Sequence, residues 1–277
     1  MKPLIICAAV TGGAPARSKT PHHPVTPDTV ARSAVECWRA GAAMIHIHAR
    51  REDGSTTSEV SDYRAIIERI QAAGCDAIIN VSAGDNGGRA SHAERLRAVD
   101  TKVEMVSLDA GSFNIGNRLY DNSPSYLREM AASMKERGIA PEIEVFDLGH
   151  MHLVNALVAE GLVRMPAFIQ FVFGLPGGTP LDQRLLPFLL ELLPQGAEWA
   201  ISSQAPDLES HLRLSMLAFT NGGHVRTGME DNVYARPGEL ATSNVQMVEQ
   251  WVTTAKTWGR PLATPAEARR LLGIAPR

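Results

Sequence analysis

Disulfide chemistry has little to work with in this chain. Its 277 residues include three cysteines, Cys7, Cys37 and Cys75. They are odd in number, scattered and in no Cys-x-x-Cys spacing, which argues against a disulfide framework and fits a reducing cytoplasm. An excess of one charge is also lacking. The 27 Lys and Arg are balanced by 30 Asp and Glu, so nothing points to nucleic acid or to an acidic membrane surface. No run approaches the roughly 18 apolar residues of a membrane span, and the apolar part of "MKPLIICAAV" is too short for a secretory leader. No Pro/Gly/Ser-rich linker, repeat or low-complexity tract divides the chain. These absences predict a cytoplasmic protein with one domain, residues 1–277, large enough to bury a sizeable core.

What is present is alternation. Short apolar runs read as buried strands: "LIICAAV", "AMIHIHA", "AIINVS", "EMVSL", "PEIEVFD", "AFIQFVFG", "EWAIS" and "HVRTG". An amphipathic stretch follows each. The first, "TPDTVARSAVECWRA", opens with Thr26 as N-cap and Pro27 at the first helical position, and stops at Gly41. The second, "SDYRAIIERIQAAG", takes Ser61 as its cap and ends at Gly74. Others are predicted over 91–99, 123–137, 151–161, 181–193, 208–223 and 244–259. A tail helix begins "TPAEARRLLG", with a capping box of Thr264 and Glu267. Uninterrupted βα alternation means a parallel sheet covered by helices, and eight units close naturally into a (β/α)8 TIM barrel. A doubly wound open sheet is the rival architecture.

"MIHIHAR" (44–50) places His46 and His48 at i and i+2 in the second strand. Residues so spaced share a strand face, here near the C-terminal end where such barrels carry their sites. A pair of buried histidines bonded to backbone would look the same. The far end of the chain adds weight. Closure places strand 8 beside strand 1, and strand 1 beside strand 2, so "GGHVRTGMEDN" (222–232) can bring Glu230, Asp231 or Asn232 over the imidazoles. Two histidines, one carboxylate and an open position form the ligand set of a catalytic zinc, and iron or manganese would accept it too. Other histidines read more blandly. His22 and His23 lie in a loop and are expected to be solvated. His150 and His152 straddle a helix start and would not share a face. His224 lies within strand 8, on the face of Arg226, as a group of the barrel interior.

The segments "VTPDTVARSAVECWRAGAAMIHIHAR", "NVSAG", "SLDAGSFN", "PEIEVFDLGH", "GGHVRTGMEDN" and "GRPLATPAEARRLLG" together resemble the β-keto acid cleavage enzymes, which include 3-keto-5-aminohexanoate cleavage. The resemblance covers nearly the whole chain. It implies a (β/α)8 barrel, a homotetramer, catalytic zinc, and condensation of a β-keto acid with acetyl-CoA to give acetoacetate and a new acyl-CoA. Carried over motif by motif, His46, His48 and Glu230 would hold Zn2+. Arg226 and Asp231 would form the pair that removes the substrate's α-proton. Ser82, Gly84 and Ser107 would line the keto-acid pocket. Glu144 would be a further polar group, with Glu142 on the same strand face. A departure falls in "TGGAPARSKTPHHP": Ala14 stands where lysine-pathway members carry an acid for the substrate's ammonium, and Arg17 and Lys19 follow. This implies a substrate tail that is neutral or anionic, unless those cations meet the CoA phosphates.

Three other functions fit parts of the pattern. A zinc-dependent hydrolase on the same barrel would carry His-x-His after strand 1 and further histidines after strands 5 and 6, whereas "AFIQFVFGLPGG" has none. A metal-dependent aldolase needs the same stabilised carbanion but no acetyl-CoA. A non-catalytic metal-binding protein would not need the Arg226–Asp231 pair.

Overall fold

The structure, a computed structural model, describes residues 1–13 and 20–275. Eight parallel strands form a closed barrel. They are β1 (Ile6–Ala9), β2 (Met44–Ile47), β3 (Ile78–Val81), β4 (Met105–Asp109), β5 (Ala140–Val145), β6 (Phe168–Phe173), β7 (Glu198–Ser203) and β8 (His224–Thr227). Each pairs with its neighbours in sequence, and β1 closes on β8 with Cys7 opposite Arg226. The covering helices are α1 (Pro27–Ala40), α2 (Val60–Ala72), α3 (His92–Leu96), α4 (Pro124–Arg137), α5 (His150–Ala159), α6 (Leu186–Glu191), α7 (Leu208–Thr220) and α8 (Asn244–Thr257), with α9 (Pro265–Leu271) as the tail. This is the expected TIM barrel, and the open-sheet alternative falls with the closed strand order.

Local sequence explains most helix ends. α1 starts at a capping box in which Thr26 and Thr29 satisfy each other's backbone, with Pro27 inside it, and it stops at left-handed Gly41. α9 has the foreseen Thr264–Glu267 box. The helix expected over 91–99 is α-helical only to Leu96 and continues as a 3-10 turn, Arg97–Thr101, and two further expectations fail. Ser61 does not cap α2; the cap position is Glu59, two residues earlier, and Ser61 lies in the first turn. The helix expected over 181–193 is shortened to a 3-10 turn, Gln183–Leu185, followed by α6. Pro187 lacks the N–H of a helix interior and is tolerated in α6 because it lies in the first turn. Three short antiparallel hairpins at the strand ends were not expected: 49–50 with 56–57, 113–115 with 118–120, and 234–236 with 239–240.

Two apolar layers divide the packing. The larger lies between strands and helices. The smaller fills the lower barrel with Ile5, Cys7, Met44, Ile78, Met105, Phe168 and Ala200, and Ala268 and Leu272 of the tail segment close it from below. Burying a side chain such as Leu272 contributes about 1.5–3 kcal/mol. Arg269 fixes the plug by donating to Glu104 at 2.6 Å and to the Asp76 carbonyl at 2.9 Å. Above this dry layer the inward positions turn polar: His46, Asn80, Glu142, Gln170 and Arg226 are all buried. The polar layer lies towards the C-terminal ends of the strands.

Candidate active site

The strand period puts His46 inside the barrel, beside Asn80 of β3 in register. His48 follows at the strand's upper end, its ring centroid 5.2 Å from that of His46. Glu230 arrives from the turn after β8. Gly228 makes that turn possible: it has φ 138°, and a Cβ there would lie 2.2 Å from the Ala9 carbonyl oxygen. The same carbonyl accepts the Glu230 N–H at 3.3 Å. The side chain of Glu230 then lies with Oε1 at 3.7 Å from His46 Nε2 and 3.4 Å from His48 Nε2. One donor atom from each of the three residues falls within 4.8 Å of the others.

Electrostatics and hydrogen bonding fit this trio to a cation. Burial alone would raise the Glu230 carboxyl, but Arg226 and the two imidazoles outweigh it and hold the group below the usual carboxylate range. Burial pushes the His48 imidazole below its ordinary value, against the pull of Glu230, and a neutral imidazole is a metal ligand. Among the described residues, His46 Nε2 and Glu230 Oε2 are buried and have no hydrogen-bond partner. Among the described residues, Asn80 Oδ1, Glu142 Oε1, Gln170 Oε1 and Arg226 Nη1 share that condition. So many orphaned groups in one polar layer mark a place built to receive other atoms. Nitrogen, nitrogen and carboxylate oxygen suit zinc.

Glu142 and Glu144 both face inward, at different depths. Glu142 lies beneath the histidines, 3.2 Å from His46 Nδ1, and also accepts from the Asn80 amide. Those partners outweigh its burial and hold its carboxyl below the usual range. Glu144 lies higher, opposite Gln170 and Asp109 in register. Burial, followed by the charges of Asp109 and Glu142, raises its carboxyl well above the usual range. Its Oε1 is 3.7 Å from Arg226 Nη1.

Arg226 ties the layer together. Its Nε donates to Asp231 Oδ2 at 2.8 Å and its Nη2 to Asp231 Oδ1 at 3.2 Å, while Nη2 also donates to Glu230 Oε1 at 2.5 Å. Burial works against its charge, but Asp231 and Glu230 more than compensate. Asp231 also accepts from Ser202 Oγ at 3.2 Å and Gln204 Nε2 at 3.0 Å.

The remaining expected residues are dispersed around this centre. Ser82 Oγ accepts the Gly84 N–H at 3.2 Å, and Ser107 Oγ accepts the Ala83 N–H at 2.9 Å, so the two hydroxyls shape the top of β3. A Cβ on Gly84 would lie 3.5 Å from the Tyr120 hydroxyl. Ala14, Arg17 and Lys19 lie outside the described residues. His22 is exposed as expected. His23 is not solvated: it is half-buried, 3.2 Å from Thr11 Oγ1, and burial, aided by Arg50, lowers it to about 4. His150 is buried and His152 exposed, so they do not share a face. His224 lies in the barrel interior, bonded to Glu198 at 2.9 Å.

Several partners escaped the sequence reading. Arg95 comes from α3, is buried, and donates to Ala83 O, Asp109 and Asn122 at the rim. Asp109 in turn accepts from the Tyr120 hydroxyl. Asn244 accepts the Met229 N–H at 2.7 Å and donates to Val10 O at 3.0 Å, clamping the turn after β8 onto β1. Asn244 alone could have been suspected, as a polar residue at the predicted start of α8.

Fold and site together define a (β/α)8 barrel whose upper mouth holds a histidine–histidine–glutamate trio beside a buried arginine–aspartate pair. The model of the β-keto acid cleavage enzymes matches residues 3–274, and the chain belongs to that family. It is 36% identical over 275 residues to the 3-keto-5-aminohexanoate cleavage enzyme of Acetoanaerobium sticklandii, covering 99% of both chains. It is 35% identical to the 3-oxoadipate:acetyl-CoA acetyltransferase of Cupriavidus necator, covering 99% of this chain and 95% of that one. Among solved structures, apo ObcA superposes with a TM-score of 0.76 at 21% identity, over 92% of this chain and 66% of that longer one. That likeness concerns the fold.

Proposed function

We propose that the protein joins a β-keto acid to acetyl-CoA and releases acetoacetate and a new acyl-CoA. The observation that carries this reading is the position of Arg226, which grips Asp231 through two nitrogens while one of them also reaches Glu230. A carboxylate base is thereby fixed beside a trio suited to a metal. His46, His48 and Glu230 would hold zinc, with Glu142 orienting His46 from beneath. Bound there, zinc would polarise the keto group and so favour loss of the α-proton.

Asp231 takes that proton from the carbon between the keto and carboxylate groups. Arg226 holds the carboxylate in place and offsets its negative charge. The carbanion attacks the thioester carbon of acetyl-CoA, a carbon–carbon bond forms, and CoA leaves as the thiolate. The thiolate then attacks the original keto carbon. The bond between that carbon and the α-carbon breaks, giving acyl-CoA and the acetoacetate carbanion, which recovers the proton from Asp231. Ser82, Gly84, Ser107 and Glu144 line the keto-acid pocket.

Ala14, followed by Arg17 and Lys19, favours a keto acid with a neutral or anionic tail, because a buried ammonium without a carboxylate partner is strongly disfavoured. We further infer a homotetramer working in the cytoplasm. Among the described residues no helix is long and apolar enough to cross a membrane. A panel of β-keto acids assayed with and without acetyl-CoA tests the reading. Turnover that requires acetyl-CoA and yields acetoacetate supports it; equal turnover without acetyl-CoA would indicate an aldolase or a hydrolase.

A further inference from the structure

The base proposed above is held by more than its arginine. Along β7, Ala200 faces the lower barrel interior. Ser202 and Gln204 continue the same face by the two-residue period of a strand and its extension. They end at one atom. Asp231 Oδ1 accepts from Ser202 Oγ at 3.2 Å, from Gln204 Nε2 at 3.0 Å and from Arg226 Nη2 at 3.2 Å. Among the described residues, Asp231 Oδ2 accepts from Arg226 Nε alone, at 2.8 Å. A carboxylate oxygen offers about two lone-pair sites. Oδ1 is therefore saturated, and Oδ2 keeps one site open.

We propose that Ser202 and Gln204 are positioning residues for proton abstraction, and that Oδ2 of Asp231 is the atom that takes the substrate's α-proton. The proposal rests on the reading of Asp231 as the base. Arg226 alone does not fix which oxygen is free, because its Nη2 is shared with Glu230. Without the two β7 donors the carboxylate can turn about its Cβ–Cγ bond and trade oxygens. The open lone pair then points towards the α-carbon in only part of the population. The cost falls on the proton-transfer step and not on keto-acid binding, since neither β7 side chain is needed to hold the substrate's own charges.

The test measures exchange of the α-proton with deuterium oxide, without acetyl-CoA and above the uncatalysed background. The probe is whichever of 3-oxohexanoate, 3-oxoadipate and 3-keto-5-aminohexanoate the enzyme turns over fastest. Ser202→Ala and Gln204→Leu are compared singly and together with wild type and Asp231→Asn. Each single change should slow exchange about tenfold, the effect of one lost charge-assisted hydrogen bond, and the double change should slow it further. Calorimetric affinity for the keto acid and bound metal should stay at wild-type values, and Ser202→Thr should restore exchange relative to Ser202→Ala. Gln204 is only half-buried, so its variant remains informative if changes at Ser202 disturb folding. If Asp231→Asn abolishes exchange while Gln204→Leu and the folded double variant exchange at the wild-type rate, the positioning proposal fails and the base assignment stands. Wild-type exchange in Asp231→Asn overturns both. A loss of exchange matched by an equal loss of affinity or metal also overturns the proposal, because it marks a merely structural role.

Discussion

Glu142 Oε2 lies 3.2 Å from Nδ1 of His46, on the side of the ring away from Glu230. Asn80 Nδ2 lies 3.0 Å from the same nitrogen, so carboxylate and amide together brace Nδ1 and leave Nε2 directed at the open centre. The relationship orients His46, a proposed zinc ligand, from one layer below it. Glu142→Gln weakens the acceptor without changing its size. Zinc affinity, measured by competition with a chelator, should fall about 10- to 100-fold. An unchanged affinity would detach Glu142 from the site.

Removing His46, a proposed zinc ligand, should be harsher. Purified protein should carry about one zinc per chain, and His46→Ala should lose both metal and turnover while the barrel stays folded. Elemental analysis beside circular dichroism decides the point. Full metal occupancy in the folded variant would take His46 out of the ligand set.

Asp231→Asn keeps the size of the side chain and cannot accept the proton. Turnover with acetyl-CoA should fall by about 10²- to 10⁴-fold, with zinc content unchanged. Retention of more than a tenth of wild-type kcat would assign the base elsewhere.

The tail of the keto acid is testable by kinetics alone. 3-Oxohexanoate or 3-oxoadipate should be preferred in kcat/KM over 3-keto-5-aminohexanoate. In Arg17→Ala, a raised KM for the keto acid would assign that cation to the tail, and a raised KM for acetyl-CoA to the CoA phosphates. Efficient use of the amino substrate by wild type would contradict the argument from Ala14.

At the base of the barrel, burial holds the His224 imidazole below its ordinary value, although Glu198 pulls the other way. Nδ1 accepts the Ile5 N–H at 3.0 Å, so the ring proton belongs on Nε2, facing Glu198. The unfolded chain takes up a proton near pH 6.5 that the folded chain refuses. The stability tied to this group is thus present above about pH 6.5 and is lost as pH falls towards the depressed folded value. Urea midpoints measured from pH 7.5 to pH 5 should decline less in His224→Asn than in wild type. Parallel slopes would show that His224 does not contribute.

The barrel was legible because buried parallel strands read as unbroken apolar runs, and because Thr26 and Thr264 cap helices by local chemistry. The His46–His48 pair was legible through the strand period, and the turn after β8 through closure of the barrel. Other contacts depend on depth and register, which no local pattern encodes. Arg95 reads as a surface residue of an amphipathic helix, yet it crosses the rim to reach Asp109. The deeper position of Glu142 relative to Glu144 follows from register with Ser107 and Asp109. The hairpins have strands of two or three residues, too short for a periodic signal; the one spanning 113–120 turns at Gly116, where φ is 61°.

The clasp at the foot of the barrel has a consequence for how the chain is made. Leu4 donates to Pro261 O and accepts from Ala263 N, each at 2.8 Å, and β1 pairs with β8 through Cys7 and Arg226. On the ribosome, β1 therefore emerges long before one of its two neighbours exists. Its free edge, rich in isoleucine and alanine, waits through more than 200 residues of synthesis for a partner. Such an edge is a template for pairing with other chains. Nascent chains arrested before His224 should expose Leu4–Val10 to proteases and holdase chaperones, and chains extended past Ala263 should hide it.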